Sequence, residues 1–318
     1  MDVLAGFAQL AMDNHYCKPQ MNDGHSLLLK DCRHPVIEYQ LPPGESYIPN
    51  TISLDKDEQR IIILTGPNMS GKSAILRQTA LAVILAQIGC YAPCSAAEIG
   101  VVDKIYTRVG ASDNISVGES TFMVEMTETA SILNNLSDRS LVLLDEIGRG
   151  TSTYDGVSLA WSIAEYIHSH PSQPKTLFAT HYHELNELEA KCPGIRNYHI
   201  SIKEQGNQII FLRKLTVGGS EHSFGIHVAQ LAGIPNAVLL RATEILNRLE
   251  EDRTNLSPQK TLKKTDSKPV YQKNMFQTED PKMIQVKKLC GGIDINTLTP
   301  IEALLKLQAI QGILNNQL

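Results

Sequence analysis

The apolar positions of this chain fall into short blocks whose period changes from one block to the next. Leu4, Phe7, Ala8, Leu10 and Ala11 form a brief helical pattern, followed by polar turns and proline-containing loops to about residue 40. These residues do not make a domain alone, and a helix already in mid-pattern beside Met1 points to a start inside a larger architecture. Arg60 to Thr65 is a continuous apolar run closed by Gly66-Pro67, the pattern of a parallel strand covered on both faces. From Ser73 to Ile88 the spacing turns helical, with Ile75, Leu76, Thr79, Ala82, Val83 and Ala86 on one stripe and Gly89 as the stop. A helix from about Ser120 to Asn135, a strand Leu141 to Leu144, a helix Val157 to His168 and a strand Thr176 to Ala179 come next. Strands alternating with helices predict an α/β fold with parallel strands.

From Glu221 the texture becomes helical. Val228, Leu231 and Ala232 lead to the turn Ala232-Gly233-Ile234-Pro235, and Val238, Leu239, Ala242, Ile245, Leu246 and Leu249 continue beyond it, a helix-turn-helix pattern. Residues 251 to about 290 are charged and sparse in large apolar side chains. Ile301, Leu304, Leu305, Leu307, Ile310 and Leu314 then mark a last amphipathic helix, which must dock on the body or on another chain to bury its stripe.

Composition narrows the class. At 42% hydrophobic and 20% charged the chain is an ordinary globular protein. It carries no run of about eighteen apolar residues and no basic-then-apolar leader, so the expected address is cytoplasmic and no membrane is involved. A net charge of −5 argues against a module that grips DNA phosphates, which needs a basic excess. The densest basic stretch, Lys260 to Lys273, reads as a solvated tether. The cysteines show no framework; Cys90 and Cys94 lack the second pair that a zinc site requires.

The segment between the first strand and its helix, Gly66-Pro67-Asn68-Met69-Ser70-Gly71-Lys72-Ser73, carries the chemistry. Its glycines let backbone N–H groups point at phosphate oxygens, backed by the positive end of a helix. Lys72 brings a point charge to the β- and γ-phosphates, and Ser73 offers an oxygen to Mg²⁺. Such a pattern arises by chance about once in a hundred chains of this length, and the flanking strand and helix reduce that further. The strand Leu141 to Leu144 ends in Asp145-Glu146. Asp145 is placed to hold the Mg²⁺ shell and Glu146 to take a proton from an attacking water. The third strand ends in Thr180-His181, where a histidine can donate to a γ-phosphate and register its loss. His181, His183 and Glu184 also admit a metal-ligand reading, which is weak without a further partner. The pattern as a whole predicts Mg²⁺-dependent ATP hydrolysis, with Lys72, Glu146 and His181 as catalytic residues.

Longer segments go beyond a generic phosphate loop. Thr65 to Met69, Ser120-Thr121-Phe122-Met123-Val124-Glu125-Met126, Asp145 through Gly156, and Ala179-Thr180-His181, in that order, resemble the ATPase domain of the MutS family of DNA mismatch-repair proteins. The resemblance implies a P-loop NTPase with an ABC-ATPase-like sheet flanked by helices. It also implies two composite sites at a dimer interface. By the same resemblance Asn68 and Met69 belong to the phosphate loop, Ser120 reaches the partner's nucleotide, and Tyr47 stacks on adenine. The loop Gly148 to Gly156 would let one site sense the other. The implied organisation is a lever or connector end at 1–40, the ATPase domain at 41–220 and a helix-turn-helix dimerisation segment at 221–250. A flexible linker at 251–290 and C-terminal oligomerisation helices at 291–318 complete it. The implied partners are a second copy (or three, as a tetramer through the tail), mismatched double-stranded DNA through domains not present here, and a MutL-type repair protein.

Departures exist. Ser70 and Ala74 stand where family members commonly carry Gly and Thr, and Arg213 lies near where some place a histidine beside adenine. No Phe-x-Glu mismatch wedge occurs in the chain. Two alternatives remain: a nucleotide-binding dimerisation module without turnover, and another composite ATPase of the SMC or ABC type. Against the latter, Ser131 to Ser137 holds no Leu-Ser-Gly-Gly-like segment.

Overall fold

A computed structural model of the chain describes residues 1–67, 70–109, 121–205, 208–220 and 225–255, together with Lys306 and Gln308, both helical. Asn68, Met69 and Ser120 lie outside the described residues, as do residues 256–290 of the expected linker (251–255 are helical) and, apart from those two positions, the tail. The chain divides into two compact units, Met1–Asp252 and Arg253–Leu318. The first unit holds both sheets and the phosphate loop.

Six strands build its larger sheet: β4 (Ile61–Thr65), β6 (Ile105–Arg108), β7 (Leu141–Asp145), β8 (Lys175–Thr180), β9 (Ile195–Gln205) and β10 (Gln208–Val217). They lie in the order β10-β9-β4-β8-β7-β6. All neighbours are parallel except β9 and β10, an antiparallel pair at the edge. Every residue of β4, β7 and β8 is buried, because both faces are covered. Ile62, Leu64, Leu141, Leu143 and Leu177 face α3 (Lys72–Gln87), whose Ile75, Leu76, Ala82 and Val83 fill one core. Ile61, Ile63, Val142, Leu144 and Phe178 face the opposite way, onto Ala160, Ile163, Ala164 and Ile167 of α5 (Thr153–Ser169) and Ile132 of α4 (Thr121–Leu133). Each Ile, Leu, Val or Phe among them contributes roughly 1.5–3 kcal/mol on burial. The expected parallel α/β sheet is present, and the βαβ unit β7-α5-β8 joins adjacent strands as such crossovers do.

A second sheet covers the far side of α3. It comprises β1 (Gln20–Asn22), β2 (Leu27–Cys32), β3 (Asn50–Leu54) and β5 (Ala96–Gly100), in the order β1-β5-β2-β3. Apolar periodicity did not reveal these strands. The first forty residues, read as a short helix and loops, supply α1 (Asp2–Asp13), β1, β2 and the short α2 (Pro35–Gln40). Two helices, α7 (Gly225–Leu231) and α8 (Asn236–Asn255), come after the large sheet and are joined through Ala232 to Pro235. Among the described residues no helix is long and apolar enough to cross a membrane.

Candidate functional site

The register of the large sheet brings three distant segments to one level. Thr65 pairs with Thr180, and Asp145 with Ala179. Gly66, Glu146 and His181 therefore emerge side by side at the carboxyl ends of β4, β7 and β8, where open parallel sheets bind ligands.

The loop after β4 turns tightly, with the Ser70 N–H donating to the Pro67 carbonyl at 3.3 Å. Gly71 caps α3 with φ +107°, a conformation that a side chain would strain. The first turn of α3 leaves N–H groups without intrahelical partners at its positive end, beside the loop. Ser70 Oγ is buried with no hydrogen-bond partner among the described residues. Lys72 is almost wholly buried. Its ammonium donates to the Gly66 carbonyl and lies 3.1 Å from Glu146 Oε1.

Ser73 and Asp145, 72 positions apart, meet directly: the hydroxyl donates to Asp145 Oδ2 at 2.5 Å. Asp145 Oδ1 is buried and has no hydrogen-bond partner among the described residues. Burial pushes the Asp145 carboxyl above its ordinary range; the Ser73 bond counters this and the neighbouring Glu146 charge adds to it. A buried carboxylate with a spare oxygen beside a hydroxyl fits a hard, oxygen-liganded cation such as Mg²⁺, which relieves that desolvation. Among the described residues no three His, Cys, Asp or Glu side chains are placed to hold a metal. A cation at Ser73 and Asp145 would therefore draw its other oxygens from phosphates and water.

Glu146 leaves β7 with φ +56°. Its Oε2 pairs with Nδ1 of His181 and its Oε1 faces Lys72. Burial drives its carboxyl up, but the His181 bond and the Lys72 charge outweigh burial and hold it below the ordinary value. Glu146 is thus an anion in a pocket, flanked by two cation-capable groups. The His181 side chain is 40% exposed against 16% for Glu146. His183, two residues on, is half-buried, and desolvation pushes its imidazole down. Tyr47 donates from its hydroxyl to Gln78 Oε1 at 2.8 Å, which fixes the ring against α3. Burial raises that phenol to about 12, with the Arg213 charge pulling the other way. Arg213 sits at a bulge in β10 with φ +53°.

Residues 62–250, running from β4 into α8, match the sequence profile of MutS domain V. The chain belongs to the MutS family. Among its relatives are proteins named DNA mismatch repair protein MutS from Christiangramia forsetii, 59% identical over 99% of this chain, and from Flavobacterium psychrophilum, 59% identical over the whole of it. That from Bacteroides thetaiotaomicron is 56% identical, again over the whole chain. The chain spans 36–37% of the length of each of these MutS relatives.

The structure of this MutS-family chain brings Lys72, Ser73, Asp145, Glu146 and His181 together, while the bond described for Tyr47 is to Gln78 of α3. Sequence reasoning overlooked two side chains that support the site. Gln78 is fully buried in α3 and anchors Tyr47; a long polar side chain beside the helix's apolar stripe was the available signal. Glu125 in α4 bonds the turn after Glu146, and only tertiary structure shows it.

Proposed function

We propose that this chain binds Mg-ATP and hydrolyses it, as the ATPase portion of a mismatch-repair protein. The observation that carries this reading is the junction of three strand ends, where Ser73 and Asp145 meet at 2.5 Å and Lys72 and Glu146 at 3.1 Å. Asn68, Met69, Ser70, Gly71 and Lys72 cradle the phosphates, with Gly66 and Pro67 shaping the loop, and Ser73 with Asp145 holds Mg²⁺. The ion supplies charge neutralisation on the phosphate oxygens. Lys72 turns from Gly66 and Glu146 toward the phosphates, which frees one carboxylate oxygen of Glu146. Glu146 then orients a water and takes its proton. His181 holds the other carboxylate oxygen through Nδ1, and its other ring nitrogen senses a γ-phosphate. Tyr47 stacks on adenine, with Gln78 setting the ring.

The site is completed in a dimer by Ser120 of a second copy, and α7 with α8 clasps the partner subunit. The tail adds further self-association. ATP binding closes two subunits and hydrolysis releases them, a cycle that switches a DNA clamp carried by parts of a longer protein. Mismatched DNA and a MutL-type protein are the partners of that whole assembly, in the cytoplasm.

A second reading, nucleotide binding without turnover, draws on one feature: Glu146 is engaged on both sides, by Lys72 and by His181. Steady-state phosphate release by the 318-residue chain, with and without Mg²⁺, separates the two. Turnover that disappears on chelation supports hydrolysis; tight nucleotide binding with no phosphate release supports the second reading.

A further inference from the structure

Glu125 is a buried carboxylate outside the phosphate loop and the strand ends, yet it is aimed at them. It is 7% exposed, and its Oε1 accepts the N–H of Gly148 at 2.6 Å. The carbonyl of the same glycine accepts the Tyr182 hydroxyl at 2.9 Å. Both polar groups of Gly148, two residues beyond Glu146, are thus gripped by side chains from two other segments. The far side of Glu125 faces Arg108 at the end of β6, with Nη2 3.8 Å from Oε2. Arg108 Nε lies 3.0 Å from Glu128 Oε2, one turn along α4.

The turn being gripped is a demanding one. Glu146, at φ +56°, occupies the left-handed region that non-glycine residues enter at a cost and keep only where their surroundings over-determine it. Ile147 is fully buried. Gly148 has φ +88°, and a Cβ there would stand 2.6 Å from the Gly156 carbonyl oxygen, so the turn has no slack on that side. The free choice left to the chain is the orientation of the peptide between Ile147 and Gly148. Glu125 sets it with a charge-assisted bond, the stronger class of hydrogen bond.

We propose that Glu125 is a positioning residue for ATP hydrolysis: by fixing the Gly148 N–H it holds the turn that aims Glu146. This role rests on the hydrolysis reading and deepens it. It also ties the aim of Glu146 to α4. A displacement of α4 must carry Gly148 with it or leave a buried carboxylate and a buried amide without each other.

The test compares Glu125→Ala, Glu125→Gln and Tyr182→Phe with the unaltered 318-residue chain, reading kcat, KM for ATP and ADP affinity in each. Glu125→Ala is expected to lower kcat about tenfold or more, with KM and ADP affinity within about twofold of wild type. Glu125→Gln keeps an oxygen that accepts from Gly148 and is expected to recover most of kcat. A kcat unchanged in Glu125→Ala overturns the proposal, as does a loss of ADP affinity matching the loss of kcat. Equal damage in Glu125→Gln and Glu125→Ala also overturns it, because the charge toward Arg108 would then be what matters. Should Glu125→Ala fail to fold, Tyr182→Phe decides: lower kcat at unchanged KM supports the grip on Gly148, and wild-type kcat overturns it. Failure of the hydrolysis reading looks different, since the unaltered chain would release no phosphate or Glu146→Ala would match it.

Discussion

At the scale of single residues, the site is an arrangement of charges that only make sense as a set. Lys72 and Glu146 are both largely buried and lie 3.1 Å apart, each offsetting the other's desolvation. Replacing Lys72 by Met removes the cation that faces the phosphates. We expect at least about a hundredfold loss of ATP affinity, the scale on which losing one partner of a buried charged pair operates. Titration with a fluorescent ATP analogue measures it; an affinity within a few-fold of wild type would remove Lys72 from the phosphate site. The placement of Gly66, Asp145, Glu146 and His181 at one sheet edge was legible in the sequence, because each closes or directly follows an apolar strand and parallel strands deliver their last residues to one edge. Glu125 was not legible. Its role depends on α4 lying across the turn at Gly148, and nothing in the local pattern around Glu125 encodes that.

At the scale of elements, the difference between what could and could not be read has one cause. Strands β4, β7 and β8 are covered on both faces and so appear as unbroken apolar runs. Strand β2 alternates only from Leu27 to Lys30, with Leu27 and Leu29 inward and Leu28 and Lys30 outward, before its register shifts ahead of the buried Cys32, and it pairs with β3 and with β5, far along the chain. A short alternating segment whose partners are remote carries little local signal. The connection between β2 and β3 contains a pH-sensitive joint. His34 caps α2, its Nδ1 accepting from the Ile37 N–H at 3.3 Å, which requires the neutral ring. Burial pushes its imidazole below the ordinary value of 6.5. The unfolded chain therefore binds a proton at a pH where the folded chain does not, so stability rises with pH in that window. The cap's contribution is complete above about pH 6.5 and is lost as pH falls through the depressed value. Thermal melts between about pH 7 and pH 5 should show a falling melting temperature. The fall should shrink in His34→Asn, whose side chain caps without titrating in this range. An unchanged pH dependence in that variant would locate the effect elsewhere, at His183 for example, whose imidazole is also shifted down by burial.

At the scale of the whole molecule, α7 and α8 with the turn between them present Leu231, Ile234, Val238, Leu240, Ile245 and Leu249 to solvent. Large apolar side chains exposed on two consecutive helices are the kind that a partner surface covers, and they support the proposed clasp on a second copy. Sedimentation velocity with ATP and Mg²⁺ should show association of the chain, and Leu240→Asp should weaken it by about tenfold or more. Unchanged self-association in that variant would move the interface away from α8. Family membership was legible because the motifs are long and keep their order. The proposed assembly rests on the resemblance, since interface geometry leaves no periodic trace in a single chain.

In the proposed cycle Glu146 performs hydrolysis at a site whose binding is carried by other residues. Parallel measurement of ATP affinity and steady-state turnover in Glu146→Ala tests this most directly. ATP affinity is expected to stay within about threefold of wild type, while turnover drops by a factor of roughly a hundred to ten thousand, the usual weight of a general base. Turnover close to wild type in Glu146→Ala would contradict it.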